Sequence, residues 1–282
     1  MAISGVLEET ARAKVNLALH VTGRRSDGYH LIDSIVLFAD ISDRLSFARA
    51  ERTSLHIVGP FSGGLAIMDN LVLRAHAAMA RAFGGLIPEV GITLEKHIPL
   101  AAGLGGGSAD AAAALRLFCR IAGLDPLSRE IRNIALSLGA DVPVCLYSRA
   151  CRVRGIGELI EPLHDLPRFD VVLANADVTV STASVFAALN LKRDEPGYPP
   201  VDVPFALSNS RNDLTPPAMA LVPQIADVLN ELHSSPAARF ARMSGSGGAC
   251  FAVFDNQAAA GLAAAGLAKR HPDWWVTPAI LR

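Results

Sequence analysis

The chain has 282 residues, 51% apolar and 19% charged, enough to bury a sizeable core and more than one typical domain uses. Its 26 basic and 27 acidic side chains give a formal charge of −1. No long block of like charge occurs, which argues against a nucleic-acid partner held through its phosphates. Cys119, Cys145, Cys151 and Cys250 stand far apart with no C-x-x-C pair, the pattern of free thiols in a reducing cytoplasm. The opening "MAISGVLEETARAK" lacks the basic start and apolar core of a signal peptide. The longest apolar stretch, "AAAGLAAAGLA" at 258–268, is too short and too Ala-rich to span a bilayer. A soluble, cytoplasmic protein is expected, with no membrane and no nucleic-acid partner.

Residues 12–22, "RAKVNLALHVT", alternate as a half-buried strand, with Val15, Leu17, Leu19 and Val21 on one face and Lys14, Asn16, Ala18 and His20 on the other. Further strands are predicted at 34–38, 44–49, 54–58 and 90–95. A helix over 71–83 follows Asp69 and Asn70, either of which can cap it. The next helix runs from Ser108 to about Gly123, with Leu115, Phe118, Cys119 and Ala122 as its apolar stripe. A third is bracketed by Asp125 as N-cap, Pro126 at the first helical position and Gly139 past its end. Strands are predicted near 143–148 and 151–154. Composition shifts at 161–167, "EPLHDLP", dividing the chain into 1–163 and 164–282. Beyond that seam come a strand in "FDVVLAN", a helix from about Thr182 and a Pro-rich loop over 192–204. Helices at about 216–233 and 256–270 and strands in "ACFAVF" and "WWVTPAI" complete the chain. Irregular alternation of strands and helices, with hairpin-like strands first, predicts an α+β protein.

"PLAAGLGGGSADAA" puts four glycines in five positions directly before a helix. Absent side chains let an anion approach backbone N–H groups there, and the helix dipole favours negative charge. The loop is neither a Walker A sequence nor the dinucleotide G-x-G-x-x-G, which would need glycine where Ser108 stands. Ser108 can cap the helix or offer its hydroxyl to a phosphate or to the phosphate's metal.

This segment resembles the phosphate-binding motif of the GHMP kinase superfamily. "AKVNLALHVTGRRSDGYHLIDS" on one side and "ARMSGSGGACFAVF" on the other resemble the first and third motifs, in the right order. "DGYH" and "LGADVP" are similar to the branch that acts on a cytidine-bearing alcohol. The matches span residues 12 to 254. The resemblance implies a two-lobed kinase fold with an ATP and substrate cleft between an N-terminal and a C-terminal domain. It implies ATP with Mg²⁺ as cofactors and a small-molecule substrate, a cytidine diphosphate joined to a branched polyol. A monomer or homodimer is expected.

Lys14 and Asp141 are the catalytic residues that the resemblance nominates, Asp141 as general base and Lys14 orienting and neutralising it. The ATP site is expected at Asn70 and Lys96, near the nucleoside. Its phosphate loop comprises Pro99, Leu100, Ala101, Ala102, Gly103, Leu104, Gly105, Gly106, Gly107, Ser108 and Ala109. The acceptor is assigned Asn16, Tyr29, His30, Thr182, Phe186, Gly245 and Ser246, with Tyr29 and Phe186 to stack on cytosine. Ser108 is the best candidate metal ligand; Asp110 is either a second one or favourable charge in the first helical turn. The other histidines form no triad spacing and are read as structural or surface. A GHMP kinase for another alcohol, or an inactive nucleotide-binding regulator, are the competing readings.

Overall fold

The computed structural model describes residues 5–67, 69–202 and 207–282. The chain forms two compact units that interleave in sequence: Met1–Ala13, Ile41–Leu100 and Gly105–Ser148 make one, and Lys14–Asp40, Ala101–Leu104 and Arg149–Arg282 the other. Strands β1 (Leu7–Arg24) and β2 (His30–Arg49) run through both.

In the first unit, the end of β2 pairs antiparallel with β4 (Val90–Glu95), from Arg44 opposite Glu95 to Arg49 opposite Val90. β3 (Ser54–Val58) lies parallel to β4 on its other edge. Four helices accompany these strands: α1 (Leu71–Phe83), α2 (Gly106–Ala122), α3 (Arg129–Leu138) and α4 (Val142–Tyr147). α2 is buried nearly all round, with Ala111, Ala112, Ala113 and Ala114 at zero exposure, so α1 and α4 can pack close to it. Phe118 of α2 meets Phe47 of β2 at a ring separation of 4.8 Å, at the centre of this core.

The second unit is an antiparallel sheet. β7 (Phe169–Asn175) lies between β10 (Trp275–Leu281) and β9 (Cys250–Phe254), and β8 (Phe240–Met243) pairs with β9. β10 also meets β2 at Leu281 opposite Ala39, and β5 (Cys151–Gly155) pairs with β2 and with β6 (Leu159–Pro162). Helices α5 (Thr182–Ala188), α6 (Thr215–Leu221), α7 (Gln224–His233) and α8 (Gln257–Arg270) complete it. Val172, Val185, Ile225, Val228, Leu232, Phe254 and Leu267 form its apolar centre together with Leu19 and Val21 of β1.

Most predicted elements are present, and the departures have local causes. The two strands expected at 34–38 and 44–49 are one, because the aspartates between them are satisfied without a turn: Asp40 accepts from Ile280 N at 2.8 Å, and Asp43 is paired inside the first unit. β1 is not half-buried, since Lys14, Asn16 and His20 are as enclosed as the apolar face. α2 starts at Gly106, two residues before Ser108, because left-handed Gly105 (φ 66°) turns the chain and its carbonyl accepts from Ala109 N. α3 starts at Arg129 with Ser128 as its cap, whereas Asp125 closes a preceding turn by accepting from Leu127 N at 2.9 Å. Gly139 past α3 is extended (φ 165°), not left-handed. The segment expected as a strand at 143–148 is helix α4, which has proline in its first turn where a missing N–H costs nothing. Asp141 therefore lies at αR angles before that helix, not in an extended turn. The long helix expected at 216–233 is divided at Val222 and Pro223 into α6 and α7. β6 and β8 had no distinct sequence signal.

Candidate active site

The glycine loop changes units twice. Residues 101–104 belong to the second unit and Gly105 onward to the first. Ala101, Gly103 and Gly105 all take left-handed φ (48°, 74° and 66°). A backbone that alternates right- and left-handed residues can turn successive N–H groups to one side, where an anion is received. Ala101 adopts that conformation with a Cβ, a local strain that concentrates at functional sites.

Within the second unit, 101–104 interlocks with the other glycine-rich turn, between β8 and β9. Ala249 N donates to Ala102 O at 2.7 Å, and Ser244 Oγ donates to Gly103 O at 3.2 Å. A Cβ on Gly103 would stand 2.5 Å from Ser244 O and 2.7 Å from Gly247 O; one on Gly245 would stand 2.8 Å from Gly103 O. The two turns touch backbone to backbone, so glycine is required on both. Asn212 supports the second turn, its Nδ2 donating to Met243 O and to Gly245 O at 2.8 Å each.

Lys14 of β1 is 4% exposed. Its N–H donates to Leu104 O at 2.9 Å, and Nζ donates to Asn16 Oδ1 at 2.8 Å. Asn16 Nδ2 donates to Ser34 Oγ at 2.8 Å, and Ser34 Oγ donates to Ala18 O at 2.5 Å. Asn16 N donates to Ser244 Oγ at 3.2 Å, joining β1 to the same turn. A compact ammonium is thus held in one place at the edge of the loop.

His30 opens β2, with its ring 4.9 Å from that of Phe186 on α5. Burial first, and then the Arg24 charge, hold its imidazole below the usual pKa. Its Nε2 is buried and has no hydrogen-bond partner, so a neutral ring offers one unmet nitrogen for a ligand to satisfy. Tyr29, beside it, is 59% exposed. Thr182 does not cap α5; Ser181 does, and Thr182 Oγ1 lies 2.8 Å from Ser246 Oγ of the glycine turn.

Asn70 caps α1 by accepting from Val72 N at 2.9 Å. Asp141 sits at the N-cap position of α4, half-buried, and makes no side-chain capping bond there. Lys96, expected near the nucleoside, is 1% exposed, with its ammonium between Asp43 and, at 2.7 Å, Asp110. Asp110 accordingly faces Lys96 and is not first-turn surface charge. Sequence reasoning missed Ser34, Asn212 and Ser244, which touch the motif residues, and the pair Asp33 and Arg152. Arg152 NH2 donates to Asp33 Oδ2 at 2.5 Å, and Asp33 Oδ2 accepts from Val201 N at 3.0 Å, tying down the Pro-rich loop. Asp33 and Ser34 lie at the end of the first motif and Ser244 in the third, the signal that could have found them, whereas Asn212 and Arg152 lie outside all three motifs.

A glycine-rich loop, a second glycine turn locked into it and a buried lysine are features of small-molecule kinases of the GHMP type, and the chain's matches to known families place it in that class. Residues 70–149 match the GHMP kinases N terminal domain and residues 205–273 the GHMP kinases C terminal domain. The 4-diphosphocytidyl-2-C-methyl-D-erythritol kinase of Cereibacter sphaeroides is 49% identical, over 96% of this chain and 98% of its own. The kinase of that name from Dinoroseobacter shibae is 47% identical over 96% of this chain and 94% of its own. A crystal structure of 4-(cytidine 5'-diphospho)-2C-methyl-D-erythritol kinase superposes with a TM-score of 0.80 at 34% identity, covering 98% of this chain and 99% of the other. The chain belongs to the 4-diphosphocytidyl-2-C-methyl-D-erythritol kinase family of GHMP kinases.

Proposed function

We propose that this chain transfers the γ-phosphoryl group of ATP to the 2-hydroxyl of 4-diphosphocytidyl-2-C-methyl-D-erythritol, a step in non-mevalonate isoprenoid precursor synthesis. The observation that carries this reading is the near-full-length identity of 45–49% to kinases of that name, with all three motifs retained. Homoserine and mevalonate kinases share the fold at only 11–17% identity.

Residues Pro99 to Ala109 receive the ATP phosphates through backbone N–H groups and the α2 dipole. Asn70 flanks the nucleoside. Asp141 accepts the proton of the acceptor hydroxyl as its oxygen bonds to the γ-phosphorus. The bond from that phosphorus to the β–γ bridging oxygen breaks, and ADP leaves with the electron pair. Lys14, oriented by Asn16, neutralises charge that develops on the transferred group. Tyr29, His30 and Phe186 take the cytosine, with His30 Nε2 at its polar edge. Thr182, Gly245 and Ser246 line the acceptor side.

Mg²⁺ bound with ATP would keep several waters and take one or two protein oxygens. Ser108 would supply one of these, while Asp110 is engaged by Lys96. Bound Mg²⁺ would neutralise phosphate charge. The four cysteines are buried and none is in a disulfide among the described residues, which suits a reducing cytoplasm. The sequence halves 1–163 and 164–282 remain our division into ATP-binding and C-terminal domains.

The test is ADP release by the purified protein with ATP, Mg²⁺ and the cytidine-bearing alcohol, with homoserine, mevalonate and galactose alongside. Turnover confined to the first is expected. Turnover on a control alone would discard the assignment of Tyr29 and His30 while leaving the phosphate loop.

A further inference from the structure

The most enclosed charges in the first unit are Asp43, Lys96 and Asp110, at 0%, 1% and 3% exposure. Asp43 Oδ1 accepts from His97 N at 2.5 Å and from Ile98 N at 2.8 Å, the two residues before Pro99. Its Oδ2 accepts from Lys96 Nζ, which also donates to Asp110 Oδ2 at 2.7 Å. Asp110 is the residue after Ala109. Three side chains from β2, the end of β4 and α2 therefore hold both ends of the segment 99–109. The ammonium lies directly behind the first turn of α2, since a Cβ on Gly106 would stand 3.4 Å from Lys96 Nζ.

A buried ion group of this kind adds little stability over an apolar replacement of equal volume. What it fixes is geometry. We propose that Asp43, Lys96 and Asp110 form a clamp that positions the phosphate loop for ATP, with Lys96 acting as a positioning residue and not as a nucleoside contact. The inference rests on the reading of 99–109 as the nucleotide loop.

Burial pushes the Asp110 carboxyl up to about 8 against the pull of Lys96, and the Asp43 charge raises it further. Asp110 Oδ1 is buried without a hydrogen-bond partner among the described residues, so the Lys96 contact at Oδ2 is what supports a negative charge there.

Calorimetric titration of the whole protein with ATP, and separately with the acceptor, tests the clamp, with thermal unfolding as a control for folding. In Lys96→Met the ATP dissociation constant should rise about 10-fold or more, since a displaced loop loses alignment, while the acceptor constant changes less than about 2-fold. Asp43→Asn, which keeps an oxygen for His97 N and Ile98 N but loses its charge toward Lys96, should also raise the ATP constant, by about 3-fold or more. A folded Lys96→Met or Asp43→Asn protein with wild-type ATP affinity would overturn the proposal. If Lys96→Met does not fold, Asp43→Asn decides alone. Failure of the wild type to bind ATP at any pH would instead remove the phosphate-loop reading, and the clamp with it.

Discussion

At the scale of single residues the account turns on Asp141, Lys14 and the His30 ring. Asp141→Asn keeps size and polarity but cannot take a proton. Its kcat should fall by about 10²–10⁴, with the ATP dissociation constant unchanged in a direct titration. A variant with near-normal turnover would remove Asp141 from the role of base. The imidazole of His30 is held below its ordinary pKa by burial and by Arg24. Acceptor affinity should therefore stay level as pH falls to about 6.5, the ordinary pKa of a histidine, and weaken only below it, as imidazolium forms. The sign follows from the depressed pKa: protonation starts lower than in a free imidazole. Fluorescence titration of the acceptor across pH 5 to 8 reads this directly, and Tyr29→Ala should weaken acceptor binding far more than ATP binding. Much of this was legible from residue types. The alternation in "RAKVNLALHVT" gave Lys14 and Asn16 one shared face, and their hydrogen bond follows from that spacing. Their burial was not legible, because the second layer over β1 comes from residues far along the chain, Asn212 and Ser244 among them.

At the scale of elements, the glycine turns are the features on which the site depends. Gly103→Ala puts a Cβ 2.5 Å from a backbone oxygen at a left-handed φ, so it should destabilise by about 2–4 kcal/mol and abolish turnover. Gly85→Ala meets nothing within 4 Å and should stay within about 0.5 kcal/mol of wild type. Urea unfolding of the two variants measures the contrast. The glycine density of the loop was visible at once, yet the start of α2 was not. Ser108 looked like the cap, whereas Gly105 turns the chain by its left-handed backbone, a property that sequence marks only as one more glycine. α4 escaped for a related reason. "VPVCLY" is short and rich in β-branched residues, so its local preference reads as strand. Pro143 in the first turn and packing against α2 decide for helix.

At the scale of the whole molecule, stability and pH are coupled through Asp110. Its carboxyl is raised from 3.8 to about 8, so over that range the folded chain keeps a proton the unfolded chain has lost. By linkage, its contribution declines as pH rises from about 4 to about 8 and is level above that. Melting temperatures taken from pH 5 to pH 9 should fall less steeply for Asp110→Asn than for wild type. Parallel curves would contradict the shift. No pattern in the sequence brings Asp43, Lys96 and Asp110 together, since β-pairing and the return of α2 determine their meeting. The order of the three motifs, by contrast, was enough to indicate the kinase class, because their glycines and polar residues are required locally.

The central claim is a new phosphate ester on one hydroxyl of a cytidine-bearing polyol. Phosphorus NMR of a reaction containing the protein, ATP, Mg²⁺ and 4-diphosphocytidyl-2-C-methyl-D-erythritol tests it most directly. The account predicts one new phosphomonoester resonance, coupled to the 2-carbon of the polyol and growing in step with ADP, with the diphosphate resonances of the acceptor intact. ADP formed without that resonance, or an ester at another hydroxyl, would contradict it.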